Sequence, residues 1–235
     1  MLSRAALSVI AGLLICRSLG AAADGESQGD GEEKDKPWTF SLESLTYLAQ
    51  HARDYNNPNF TADCDSLHLE ARYNYEALKT GSVWLGYNFS TLNIGKALKV
   101  DATPMLGGVF GDMTGVAPGY WIEATLQATY GNIKASTQGE YFFDAGNNSN
   151  DFFYSWSEFS ASPSGADWFR VGLVVERTQA SGNSDVRRGP LIGFKYKRKH
   201  DGEHKDSDKD VDLTIYWLAP GSREATFVFG VKLDF

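Results

Sequence analysis

Three polar residues at alternate positions, Ser66, His68 and Glu70, have the side-chain types that nucleophilic catalysis uses. The serine would attack, the histidine would take its proton, and the carboxylate would orient the histidine. Alternate positions share one face of a β-strand, where successive residues lie about 6 to 7 Å apart. A nucleophile and its base need to approach within about 3 Å. The spacing therefore disfavours catalysis, and we predict no catalytic residue.

A second set of polar residues lies in the run 197–210, where His200 and His204 stand among five acidic residues. Histidine and carboxylate side chains bind divalent metals, but the same run contains five Lys and Arg residues, which offset the acids. We interpret it as a solvated loop and predict no metal site. Gly107 and Gly108 are not flanked by a strand-to-helix transition, so we also predict no nucleotide site and no cofactor.

The elements around these residues are predicted to be strands, because apolar and polar side chains alternate over segments of six to twelve residues. Eleven segments show this pattern or are rich in aromatic residues: 38–49, 66–75, 83–89, 98–103, 120–128, 133–143, 151–161, 169–176, 190–197, 211–217 and 225–235. The first also fits a helix, through Leu42, Leu45 and Leu48. A closed antiparallel barrel with both termini at one end needs an even number of strands. The sequence therefore predicts an all-β fold with 10 or 12 strands.

The last strand alternates without a break and ends on an aromatic residue. Its apolar positions are Phe227, Phe229, Val231, Leu233 and Phe235. This strand is similar to the assembly signal of bacterial outer-membrane β-barrel proteins, and the segment 103–120 resembles an uncharacterised family of such barrels. The resemblance implies a single closed antiparallel transmembrane β-barrel, inserted by the barrel-assembly machinery through this strand. It implies no activity.

The N-terminus predicts export. Residues 1–23 combine Arg4, an apolar run and three final alanines, as a cleaved signal peptide does. Residues 24–36 are acidic and without apolar side chains, which predicts a disordered tail, and 37–235 form the barrel. Removing Arg4 and Arg17 takes the formal net charge from −8 to −10, so nucleic acid is not an expected partner.

Alternation alone does not say which face points outward. A soluble lipocalin-like barrel would place the apolar face inside. The strand lengths and the aromatic residues near the strand ends, Tyr73, Tyr75, Tyr87, Phe89, Tyr141, Phe143, Phe194, Tyr196 and Trp217, favour a membrane barrel with apolar residues facing lipid. The predicted lumen-facing polar residues are then Glu70, Arg72, Lys99, Asp101, Glu123, Lys134, Glu140, Arg170, Glu176, Lys195 and Lys232.

The sequence thus predicts a non-enzymatic monomeric barrel in the outer membrane of a Gram-negative bacterium, in contact with the lipid bilayer. Its function would be that of a small porin-like channel or an envelope structural protein. Two alternatives remain open. One is an outer-membrane lipid hydrolase using Ser66, His68 and Glu70. The other is a soluble periplasmic lipocalin-like binding barrel.

Overall fold

A computed structural model describes residues 38–146, 150–198, 209–222 and 225–235. The predicted signal peptide, the acidic tail and the two histidines His200 and His204 lie outside these residues. Within them, no helix is long and apolar enough to cross a membrane. The strands are β1 (Thr39–Ala49), β2 (Tyr55–Cys64), β3 (Leu67–Tyr73), β4 (Thr80–Tyr87), β5 (Leu92–Ile94), β6 (Leu98–Gly111), β7 (Gly115–Ala128), β8 (Gly131–Asp144), β9 (Phe152–Pro163), β10 (Phe169–Ala180), β11 (Asn183–Arg198), β12 (Lys209–Leu218) and β13 (Thr226–Asp234).

The strands form one antiparallel sheet that closes on itself. Strands adjacent in sequence pair with each other, except β4 and β5. β1 also pairs with β13, and β4 pairs with β6 to complete the ring. β5 has three residues and lies beside the start of β6, outside the ring. The barrel therefore has twelve strands, which confirms the closed antiparallel architecture and the larger of the two predicted strand numbers.

The strand that the sequence did not reveal is β2. Its outward positions include Asn56 and Pro58, and its inward positions are polar, with Asn57, Asn59 and Thr61. Proline and asparagine are typical of turns, so the segment lacked the apolar alternation that marks the other strands. Pairing on both sides nevertheless holds it in the sheet.

The first element of the chain is a strand, β1, and the helical interpretation of Leu42, Leu45 and Leu48 is wrong.

The outer surface of the barrel is apolar. Large hydrophobic side chains at alternate positions are 37–66% exposed there, among them Leu85, Leu106, Leu173, Ile192 and Phe229. Such a surface is far larger than a soluble monomer leaves in contact with water, and it fits a surrounding bilayer. The soluble lipocalin-like alternative is therefore not supported.

Both described chain ends lie at one end of the barrel, where Ser41 of β1 pairs with Asp234 of β13. We call this the terminal end. Short connections at this end join β2 to β3, β7 to β8 and β9 to β10. They include the neighbouring turns at Tyr130 and Ser164, which are joined by a backbone hydrogen bond from Ser164 N to Tyr130 O of 2.9 Å.

A charge placed in the middle of the apolar surface should destabilise the barrel. Leu173 lies near the middle of β10 and is 60% exposed, whereas Tyr196 lies closer to the terminal end of β11. We expect Leu173→Lys to lower the free energy of unfolding from lipid vesicles by about 2–4 kcal/mol, and Tyr196→Lys by about 0–1 kcal/mol. Equal losses in urea titrations of the two variants would contradict a bilayer centred on Leu173.

Candidate functional site

The lumen contains the polar side chains of the barrel. All eleven predicted lumen-facing residues lie on the face opposite the exposed apolar residues, as the strand register shows: Glu70, Arg72, Lys99, Asp101, Glu123, Lys134, Glu140, Arg170, Glu176, Lys195 and Lys232. The five predicted assembly residues are all exposed: Phe227, Phe229, Val231, Leu233 and Phe235. The first four face outward from β13. The lumen is therefore the candidate functional site.

Arg72 is the centre of a buried ion cluster that crosses the lumen. Its Nε donates to Glu70 Oε2 at 2.5 Å, and its Nη1 donates to Glu140 Oε2 on β8 at 2.9 Å. The side chains of Arg72, Glu70 and Glu140 are 5%, 8% and 2% exposed. Buried charges of this kind are stable only when paired and hydrogen-bonded, as they are here. We call these three residues the arginine cluster.

Aromatic rings enclose the guanidinium of Arg72. Its Cζ lies 4.6 Å from the ring centre of Tyr75 and 4.3 Å from that of Trp84, distances at which cation–π attraction is significant. The indole of Trp84 fits because Gly107 and Gly119 lie beneath it. A Cβ at either glycine would come within 2.8 Å of the ring.

The prediction that Tyr75 faces lipid is wrong. β3 ends at Tyr73, and the following turn directs the side chain of Tyr75 to Arg72 and Gln138.

His68 contacts two carboxylates. Its Nδ1 lies 2.7 Å from Asp63 Oδ1 and its Nε2 lies 3.0 Å from Glu70 Oε1. His68 and Glu70 meet although they are alternate residues of one strand, because both side chains are long enough to bend towards each other across the backbone distance. Since a carboxylate only accepts, each ring nitrogen must donate, and neither can take a proton from Ser66. The geometry does not favour the lipid hydrolase alternative.

The half of the lumen further from the terminal end is filled mostly by apolar and aromatic side chains, together with an ion pair of 2.6 Å between Arg187 Nη2 and Glu176 Oε2. Tyr47, Val174, Leu191, Leu218 and Val228 are at most 2% exposed and belong to one cluster. Tyr55 and Tyr154 pack against it, and Tyr47 stacks on Tyr55 with ring centres 4.5 Å apart. Sequence alternation did not predict this cluster, because its apolar side chains occupy the inward positions that elsewhere carry polar residues.

The half of the lumen nearer the terminal end contains a polar cavity of about 210 Å³, which we call the vestibule. Five acidic residues line it, Glu43, Glu123, Glu158, Asp212 and Asp234, with four basic residues, Lys134, Arg170, Lys195 and Lys232. Trp121, Trp156 and Tyr216 form aromatic parts of its wall. The sequence predicted the basic residues and Glu123. Glu43 and Glu158 were missed because their segments were a possible helix and a strand with aromatic residues on both faces.

Comparison with known proteins identifies the fold. No protein-family model and no curated protein sequence matches the chain. Among solved structures, the KdgM porin in complex with disordered oligogalacturonate is similar, with a TM-score of 0.50, 6% sequence identity, and coverage of 83% of this chain and 98% of that chain. A second KdgM porin structure matches with a TM-score of 0.49 at 6% identity, covering 83% and 98%. The CymD monoaromatic hydrocarbon channel matches with a TM-score of 0.41 at 9% identity, covering 92% and 95%.

At these identities the likeness concerns the fold alone. The closed ring, the apolar outer surface and the similarity to the KdgM porin define the chain as a β-barrel of the bacterial outer-membrane type.

Removing the guanidinium of Arg72 should destabilise the barrel strongly, because Glu70 and Glu140 would remain buried without a cation between them. We expect Arg72→Ala to lower the free energy of unfolding by about 3–5 kcal/mol, measured by urea titration in lipid vesicles. Arg177→Ala is the control, since Arg177 is exposed on the outer face, where its guanidinium donates to Gln179 and lies over the ring of Phe153 without an ion-pair partner among the described residues. We expect a loss of less than about 1 kcal/mol there. Equal losses would show that the arginine cluster does not stabilise the lumen.

Proposed function

We propose that this protein is a porin-like channel of the bacterial outer membrane that passes ions and small polar solutes. The observation that supports this most directly is the vestibule, a charged cavity lined by strands from most of the ring. A barrel that served only as a membrane anchor would need no solvated, charged cavity, because side chains alone can fill a lumen of this size.

The passage through the lumen is narrow beyond the vestibule, on the side further from the terminal end. The arginine cluster crosses the lumen from β3 to β8, and Tyr75 is hydrogen-bonded to Gln138 beside it. Tyr154 packs edge-on against Tyr75, with ring centres 5.7 Å apart. These side chains form a constriction, so the channel has a low conductance. Movement of the two tyrosines is the simplest way to widen it, since neither carries a charge.

The solute that we propose differs in charge from the ligand present in the similar porin structure. That structure contains oligogalacturonate, an acidic sugar polymer. Acidic residues outnumber basic residues in the present vestibule. Like charges repel, and a negatively charged passage favours cations. We therefore propose a cation-preferring channel.

Export and assembly complete the proposal. Residues 1–23 act as a cleaved signal peptide, and the barrel-assembly machinery binds the exposed apolar positions of β13 together with Phe235. The backbone of Phe235 is hydrogen-bonded in both directions to Phe40, with N···O distances of 2.9 and 3.0 Å, which supports a role in closing the seam between β1 and β13. The terminal end then faces the periplasm, and the protein works as a monomer.

Widening the constriction should raise the conductance. We expect the refolded protein in planar lipid bilayers to show small, cation-selective steps, and the double variant Tyr75→Ala, Tyr154→Ala to conduct several-fold more. Tyr130→Ala is the control, because Tyr130 is 88% exposed at a turn of the terminal end. If both the native protein and the widened variant fail to conduct, the barrel is an envelope structural protein and the channel proposal is wrong.

Deleting Phe235 should impair assembly. We expect the native chain in washed outer membranes to migrate as a compact band that shifts on heating in a detergent gel, and the chain without Phe235 to lose most of that band. Asp234→Asn is the control, since this inward residue lies beside Phe235 and, among the described residues, its side chain forms only a 3.6 Å ion pair with Lys232. A normal compact band after the deletion would contradict the assembly role.

A further inference from the structure

The basic residues of the vestibule all have acidic partners. Lys134 Nζ lies 2.6 Å from Glu123 Oε2, and Lys195 Nζ lies 2.7 Å from Asp210 Oδ2. Arg170 donates to both oxygens of Asp212, at 2.5 and 2.9 Å. Lys232 Nζ lies 3.6 Å from Asp234 Oδ1. Because each cation is engaged, the vestibule offers no free positive charge to an anionic solute.

Two acidic residues of the vestibule are different. Within the described part of the chain, neither Glu43 nor Glu158 has a basic group within ion-pair distance. They project from β1 and β9, on different sides of the lumen. Lys232 lies opposite Glu43 in the β1–β13 register, but its ammonium pairs with Asp234. Two carboxylates that face one cavity and have no ion-pair partner of their own favour a positively charged occupant, since burying a charge without a counter-charge is costly.

Glu158 is held in place by neutral donors. Trp156 Nε1 donates to its Oε1 at 2.9 Å, and the hydroxyl of Tyr216 donates to the same oxygen at 2.8 Å. The two rings pack edge-on, with centres 5.1 Å apart and an interplanar angle of 82°. The other oxygen, Oε2, receives no hydrogen bond from the described residues. A carboxylate oriented in this way, beside aromatic rings, matches the needs of an ammonium group, which donates hydrogen bonds and is attracted to ring faces.

We propose that the vestibule binds small aliphatic amines in their protonated form, with Glu158 as the main contact and Glu43 as the second carboxylate. A volume of 210 Å³ corresponds to roughly seven water molecules at about 30 Å³ each, enough for a short diamine. A bare divalent metal is less well matched. No group of three or more His, Cys, Asp or Glu residues in the described ranges could hold a metal ion.

This inference deepens the proposed function and rests on it, since the amine would be a solute of that channel. Binding can nevertheless be measured without transport. A protein that binds amines but does not conduct would refute the channel alone. A protein that conducts cations but binds no amine would refute the amine site alone.

The test is isothermal titration of 1,4-diaminobutane into the detergent-purified protein, with the heat-shifted gel band used to select folded material. We expect saturable binding that weakens about tenfold or more in Glu158→Gln, because a hydrogen bond to a charged group is lost while the shape is kept. Glu43→Gln should weaken binding by a smaller factor.

Asp185→Asn is the matched control, since Asp185 is an exposed acid near the far end of β11, away from the vestibule. Its affinity for the diamine should equal that of the native protein. Absence of saturable binding to the native protein would overturn the proposal. So would an unchanged affinity in Glu158→Gln, or an equal loss in Asp185→Asn. Tighter binding of succinate than of the diamine would show that the vestibule selects anions and would also overturn it.

Discussion

The pairing between β4 and β6 is the interaction on which the other features of this barrel depend. In a bilayer, backbone N–H and C=O groups have no water to bond, so a sheet that crosses it must leave no open edge. Seven residue pairs, from Thr80 with Gly111 to Gly86 with Met105, join the last free edges of the sheet. Once the ring is closed, each strand must direct alternate side chains outward to lipid and inward to the lumen. The division between an apolar surface and a polar interior follows from this closure.

The interior must then satisfy the charges that it encloses. Arg72 meets this demand by joining strands from two sides of the lumen, with Glu70 and Glu140 as partners and Trp84 against its face. Small residues make this possible, since the indole occupies the space that a side chain at Gly107 or Gly119 would need. Aromatic and aliphatic side chains fill most of the lumen further from the terminal end, whereas charged side chains line a cavity nearer to it.

The excess of acidic groups in that cavity connects the structure to function. Paired charges largely cancel, so the field inside the vestibule is set mainly by Glu43 and Glu158, which form no ion pair with any described residue. A fixed negative site in a narrow passage attracts cations and repels anions. The same two residues therefore support both the proposed ion preference and the proposed amine site.

The sequence by itself determined the class of fold. Alternation or aromatic content in eleven segments indicated strands, and the unbroken pattern from Phe227 to Leu233 indicated which residues share one face, because a strand has a strict period of two. Strand length and the aromatic residues near the strand ends indicated that the apolar face points outward. It did not reveal β2, where Asn56 and Pro58 interrupt the pattern. Only the tertiary structure decided the number of strands, the contact of His68 with Glu70 and the position of Glu158 between Trp156 and Tyr216. These depend on which side chains meet across the lumen. Periodicity along one strand contains no information about partners on distant strands.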